Sequence, residues 1–207
     1  QPIAAAALGQ LMAANPENKY LLAAAMSSLN PRNVSGVLAA LVASSTRPEL
    51  VREVIGQAVA MGDAETIQRV MEVVGASPPR QAGKEDFACL AMALDGLESR
   101  QWSIQRISDD SRRRIARSIQ WARQCATDQA SNAGTRAAAV GLLGREVQTQ
   151  ASDFELMTQL LSARSPAMVQ QQVVSRLAQI GKPELANVLL QGWQSHSPEL
   201  RKLILEA

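Results

Sequence analysis

Apolar residues recur along this chain at helical spacing. Leu50, Val51, Val54, Ile55, Ala58 and Val59 follow i, i+1, i+4, i+5, i+8, i+9, and after Met61-Gly62-Asp63 the residues Ile67, Val70, Met71 and Val74 follow i, i+3, i+4, i+7. The pattern predicts a helix, a short turn and a second helix. It recurs in Leu21, Leu22, Ala25 and Leu29, then Asn30-Pro31-Arg32-Asn33, then Val34, Val37, Leu38 and Leu41. It recurs again in Val169, Val173, Leu177 and Ile180, then Gly181-Lys182-Pro183, then Leu185, Val188 and Leu189. Proline punctuates these pairs: Pro16 and Pro48 lie 32 residues apart, as do Pro166 and Pro198, and 32 residues before Pro166 stands Gly134 in Ser131-Asn132-Ala133-Gly134. Proline suits the first turn of a helix because its missing N–H has no intrahelical partner there. A short helix pair leaves an apolar face that only a neighbouring pair can cover, so the units are expected to stack.

The expected architecture is all-α, an α-solenoid of stacked antiparallel helix pairs forming a single array over 1–207. Repeats are placed at about 16–45, 48–75, 134–162 and 166–193, with a further one starting at 198–207. Residues 84–130 form an irregular central part, where Ser108-Asp109-Asp110-Ser111 caps a long helix carrying Ile115, Ile119, Ala122 and Ala126. Ala76-Ser77-Pro78-Pro79-Arg80-Gln81-Ala82-Gly83 reads as a loop, and a domain boundary near residue 80 is the alternative.

Composition agrees. Ala fills 34 of the 207 positions and the aromatics number six, which favours helix over strand. With 21 Lys+Arg against 19 Asp+Glu the net charge is +2, so no polybasic or acidic tail is present. No stretch of about 20 uncharged apolar residues marks a transmembrane segment. The chain opens at Gln1 and closes on a helix start at Ser197-Pro198 without a stop signal, and is expected to be a piece of a longer protein. Cys89 and Cys125 sit at small apolar helix positions, expected as buried thiols; a disulfide between them would point instead to an oxidising compartment.

Several phrases carry a resemblance: Leu90-Ala91-Met92-Ala93-Leu94-Asp95-Gly96-Leu97, Arg136-Ala137-Ala138-Ala139-Val140-Gly141-Leu142-Leu143-Gly144, Val173-Val174-Ser175-Arg176-Leu177-Ala178 and Leu189-Leu190-Gln191-Gly192-Trp193. They resemble HEAT-like repeats, and more narrowly the HEAT-like segment of large planctomycete-type membrane-bound dehydrogenase or haem-binding multidomain proteins. The resemblance implies an exported, periplasmic or extracytoplasmic redox parent, with a sugar-dehydrogenase-like propeller before the repeats and a c-type cytochrome domain after them. Haem would then sit in that separate domain, because Cys89 and Cys125 form no Cys-x-x-Cys-His motif. No catalytic, cofactor or metal residue carries over to this chain.

Candidate chemistry is sparse. His196, the single imidazole, falls in Gln194-Ser195-His196-Ser197-Pro198 and is expected in a solvated turn. One His cannot anchor a metal cluster. An enzyme would need a pocket collecting carboxylates such as Asp95 or Glu98, and nothing in their spacing argues for one. The richest cluster is basic: Arg100, Arg106, Arg112, Arg113, Arg114, Arg117 and Arg123 stand against Asp109 and Asp110, a local net charge of +5 over 100–125. Arg106, Arg113, Arg114, Arg117 and Trp121 are the expected interaction surface, with Arg117 and Trp121 one turn apart and able to stack. Trp193 extends the apolar stripe of Leu189. The expected function is a non-catalytic scaffold or protein-interaction module, contacting adjoining domains of its own polypeptide or another protein. The alternative is a solenoid that binds nucleic acid or another polyanion through the arginines, against which the overall charge of +2 argues.

Overall fold

The computed structural model describes residues 2–44, 48–62, 64–75, 83–99, 107–146, 149–181, 189–190 and 192–206. Among them are eleven α-helices and no strand: α1 (Pro2–Ala14), α2 (Lys19–Ser27), α3 (Val34–Ser44), α4 (Pro48–Met61), α5 (Ala64–Val74), α6 (Lys84–Glu98), α7 (Asp109–Thr127), α8 (Ala133–Val140), α9 (Gln150–Leu160), α10 (Ala167–Ile180) and α11 (Pro198–Glu206). A 3-10 turn, Trp193–Ser195, precedes α11. The chain divides into two compact units, one formed by Gln1–Pro78 with Cys89–Ile115 and the other by Pro79–Ala88 with Ala116–Ala207. The helices α6 and α7 each contribute to both.

The helix boundaries follow from local chemistry. Pro48 and Pro198 are the first residues of α4 and α11, and Pro166 is the N-cap residue of α10. Asn18 and Asn132 cap α2 and α8, their side-chain oxygens accepting from the backbone N–H of Leu21 (3.1 Å) and Thr135 (2.8 Å). Ser108 does the same for α7, its hydroxyl accepting from the N–H of Ser111 at 3.3 Å. At the end of α10, Gly181 takes φ 64° and returns its N–H to the carbonyl of Leu177, the left-handed stop that glycine allows. Pro16 departs from the expected pattern: it lies in a turn before the cap Asn18, where the asparagine and not the proline starts the helix.

In the first unit, α3 is the hub. Its residues Val34, Val37, Leu38 and Leu41 are buried, and α1, α4 and α5 all pack on it. The crossing with α1 is close because small residues face each other there. A Cβ on Gly9 would lie 2.7 Å from both the Ala40 Cβ and the Val37 carbonyl oxygen, and one on Gly36 would lie 2.8 Å from the Ala5 Cβ. The buried faces of α4 (Leu50, Val51, Val54, Ile55, Ala58) and α5 (Ile67, Val70, Met71) match the stripes read from the sequence. In α2 the agreement is weaker: Ala25 and Leu29 are buried, while Leu21 and Leu22 are half-buried. In the second unit α10 is the hub, with Val169, Val173, Val174 and Leu177 buried and with α8, α9 and α11 against it. Alternate helices therefore touch: α1 meets α3 across α2, α3 meets α5 across α4, and α8 meets α10 across α9. The expected stripe at Leu185 and Val188 lies outside the described residues.

Candidate functional site

Helix α7 carries the arginines. Its first turn holds Asp109 and Asp110, favourable near the helix N-terminus, and its apolar stripe of Ile115, Ile119, Ala122 and Ala126 is buried. The acidic residues pair with the basic ones behind them. Arg112 bonds Asp109, Arg114 bonds Asp110 at 2.9 Å, and Arg113 stands 3.7 Å from the same carboxylate. Exposed pairs of this kind contribute about 0.2–1 kcal/mol each. Their larger effect here is on the field, since the charges expected to face a polyanion are in part neutralised one turn away. Arg117 is exposed and has no acidic partner among the described residues. Trp121 is half-buried, and its indole N–H is buried without an acceptor among those residues. Arg100 and Arg106 lie outside them. Among the described residues, Arg201 lies over an indole, 5.7 Å from the centre of the Trp193 ring. Trp193 itself does not extend the Leu189 stripe, because Gly192, at φ 72°, turns the chain and leaves Trp193 in the 3-10 turn.

Arg123 does something else. Although it belongs to the basic cluster in sequence, it turns inward in the second unit and joins a half-buried network. Its Nε donates to Asp153 Oδ1 at 2.6 Å and its Nη2 to Asp153 Oδ2 at 3.2 Å, to Glu146 Oε2 at 2.8 Å and to the Thr149 hydroxyl. The Asp153 side chain, only 1% exposed, also accepts the N–H of Gly144 at 2.8 Å. Burial works against the charge of Arg123, but the carboxylates of Asp153 and Glu146 outweigh it and hold the guanidinium above its usual pKa. With its oxygens taken up by Arg123 and Gly144, Asp153 acts as a clamp on the turn after α8. Gln150 adds to the clamp by donating to the Gly144 carbonyl at 3.1 Å. Gly144 is needed there: φ is 71°, and a Cβ would lie 3.0 Å from Ile180 Cδ1.

A second feature recurs. The fourth residue of α8, α10 and α11 is Arg136, Gln170 and Arg201. Each reaches back to carbonyl groups at the end of the preceding helical turn. Arg136 Nε donates to Ala126 O at 3.1 Å; Gln170 Nε2 donates to Leu161 O at 3.2 Å and Ser162 O at 2.7 Å. Arg201 donates through Nε to Trp193 O at 2.9 Å and through Nη2 to Gln194 O at 2.8 Å. The last carbonyls of a helix lack intrahelical partners, so one long polar side chain serves the same need three times. These residues stand 34 and 31 apart, close to the proline register. Arg176, 2% exposed, donates from Nε to the Leu143 carbonyl at 3.0 Å. None of Arg136, Asp153, Gln170, Arg176 and Arg201 stood out in the sequence. For Arg136, Gln170 and Arg201 the one signal there is the recurrence of a long hydrogen-bonding side chain at the fourth position of a helix; Asp153 and Arg176 carry none.

Two open grooves lie in the first unit. One, of about 720 Å³, is lined by Ala4, Ala5, Leu8, Asn30, Pro31 and Arg32; its asparagine side chains are spent on the turn, where Asn33 Oδ1 accepts the Asn30 N–H at 2.8 Å and Asn30 Oδ1 the Arg32 N–H at 3.0 Å. The other, of about 530 Å³, runs between α3 and α5 past Ser35, Ala39, Val42, Arg69, Glu72 and Val73. His196 is not solvated as expected: it is 8% exposed, and its Nε2 has no partner among the described residues. Cys89 and Cys125 are buried and no disulfide joins them. For Cys125, burial and then the negative charge of Asp128 push the thiol pKa up, away from a nucleophilic thiolate. Among the described residues no three His, Cys, Asp or Glu side chains gather as a metal site, and no helix is long and apolar enough to cross a membrane. No family model matches the chain, and no curated protein or solved structure matches it either.

Proposed function

We propose that this chain is a HEAT-like α-solenoid, a non-catalytic scaffold whose work is to present helix surfaces to adjoining domains or to another protein. The single observation that carries the reading is the contact of alternate helices, α1 with α3 with α5 and α8 with α10, because side-by-side packing of every second helix is what successive helix pairs in a stacked array produce. The recurring carbonyl caps at Arg136, Gln170 and Arg201 support it, since the same local solution returns at nearly the same interval. The buried Arg123 and Asp153 network is read as structural, its groups being paired with one another.

The resemblance adds a parent: an exported redox protein in which this segment separates a propeller from a c-type cytochrome domain. Reading the coding sequence on either side tests that part. A propeller upstream and a Cys-x-x-Cys-His motif downstream support it, and unrelated neighbours remove it while leaving the scaffold standing. The scaffold is tested by titrating the chain with a labelled DNA duplex and an acidic polymer at low salt. No salt-dependent binding above that of a neutral helical control is expected. Tight binding abolished by Arg113→Glu with Arg117→Glu would transfer the function to a polyanion surface.

A further inference from the structure

We draw no further inference here: the strongest candidate, the open groove of about 530 Å³ between α3 and α5, has an uncharged wall on α3 and an Arg69 side chain already bonded to Glu65 on α5, and nothing in the structure shows what covers it.

Discussion

Replacing Asp153 by alanine removes the centre of the second unit's polar network. Two things are stranded: Arg123, which loses its bonds at 2.6 and 3.2 Å, and the N–H of Gly144, which loses its acceptor at 2.8 Å. Removing one partner of a buried ion pair costs about 3–5 kcal/mol. Arg123 remains 20% exposed and keeps Glu146 at 2.8 Å, so the lower end applies, about 3 kcal/mol. Asp153→Asn retains an oxygen for Gly144 while losing the charge, and is expected to cost about half as much, roughly 1.5 kcal/mol. Urea unfolding followed by far-ultraviolet circular dichroism measures both, and the slope must stay constant for the comparison to hold. In a thermal melt a loss of about 3 kcal/mol corresponds to roughly 6–12 °C for a chain of this size. The double variant with Arg123→Met should cost about 2 kcal/mol less than the two single changes added together, because each already breaks the same contact. Additive effects, or an Asp153→Ala variant within 1 kcal/mol of the native chain, would refute the reasoning.

The glycines of α4 and α6 should respond in opposite directions. Gly56→Ala meets nothing within 4 Å and is expected to stabilise by up to about 1 kcal/mol, whereas Gly96→Ala places a Cβ 2.5 Å from both methyl carbons of the stiff Val59 side chain and is expected to destabilise by about 1–3 kcal/mol; matched melts decide. Asp128 accepts hydrogen bonds from the Ala130 N–H and the Ser131 hydroxyl, both 2.9 Å, which hold its carboxyl below the usual value. Its folded pKa is below its unfolded one, so its contribution is complete above about pH 3.9 and is lost as pH falls below that. Asp128→Asn should therefore differ from the native chain at neutral pH and converge with it in acid, as stability measured across that range will show. Cys125, buried and with its thiol pKa raised, should react slowly with iodoacetamide at pH about 8 and rapidly once the chain is unfolded; mass spectrometry of the labelled chain reads this, and equal rates would contradict it.

Helix starts, stops and apolar faces were legible because they depend on neighbours within one turn. Ser108 before α7, Gly181 after α10 and the buried side of α4 all follow from such local patterns. What was not legible depends on where long polar side chains reach. Arg123 sits in a basic cluster in sequence, yet its partner Asp153 is 30 residues away, beyond any helical spacing. Arg136, Gln170 and Arg201 look like ordinary polar positions until the carbonyls they serve are seen in space. The polar phrase around His196 points to solvent, yet the imidazole is covered, and the left-handed Gly192 takes Trp193 off the helical register of Leu189. In α2 the periodic pattern does not by itself set burial: Ala25 is buried while Leu21 and Leu22 stay half out.

The stacking of alternate helices is tested most directly by native-state hydrogen exchange on the intact chain. If neighbouring helices cover one another in series, protection is graded within each unit. The hubs α3 and α10, each packed against three other helices, should exchange most slowly, and α1 and α11 should open locally at lower free energy. One common opening free energy across all the helices would mean a single closed cooperative core and would contradict the account.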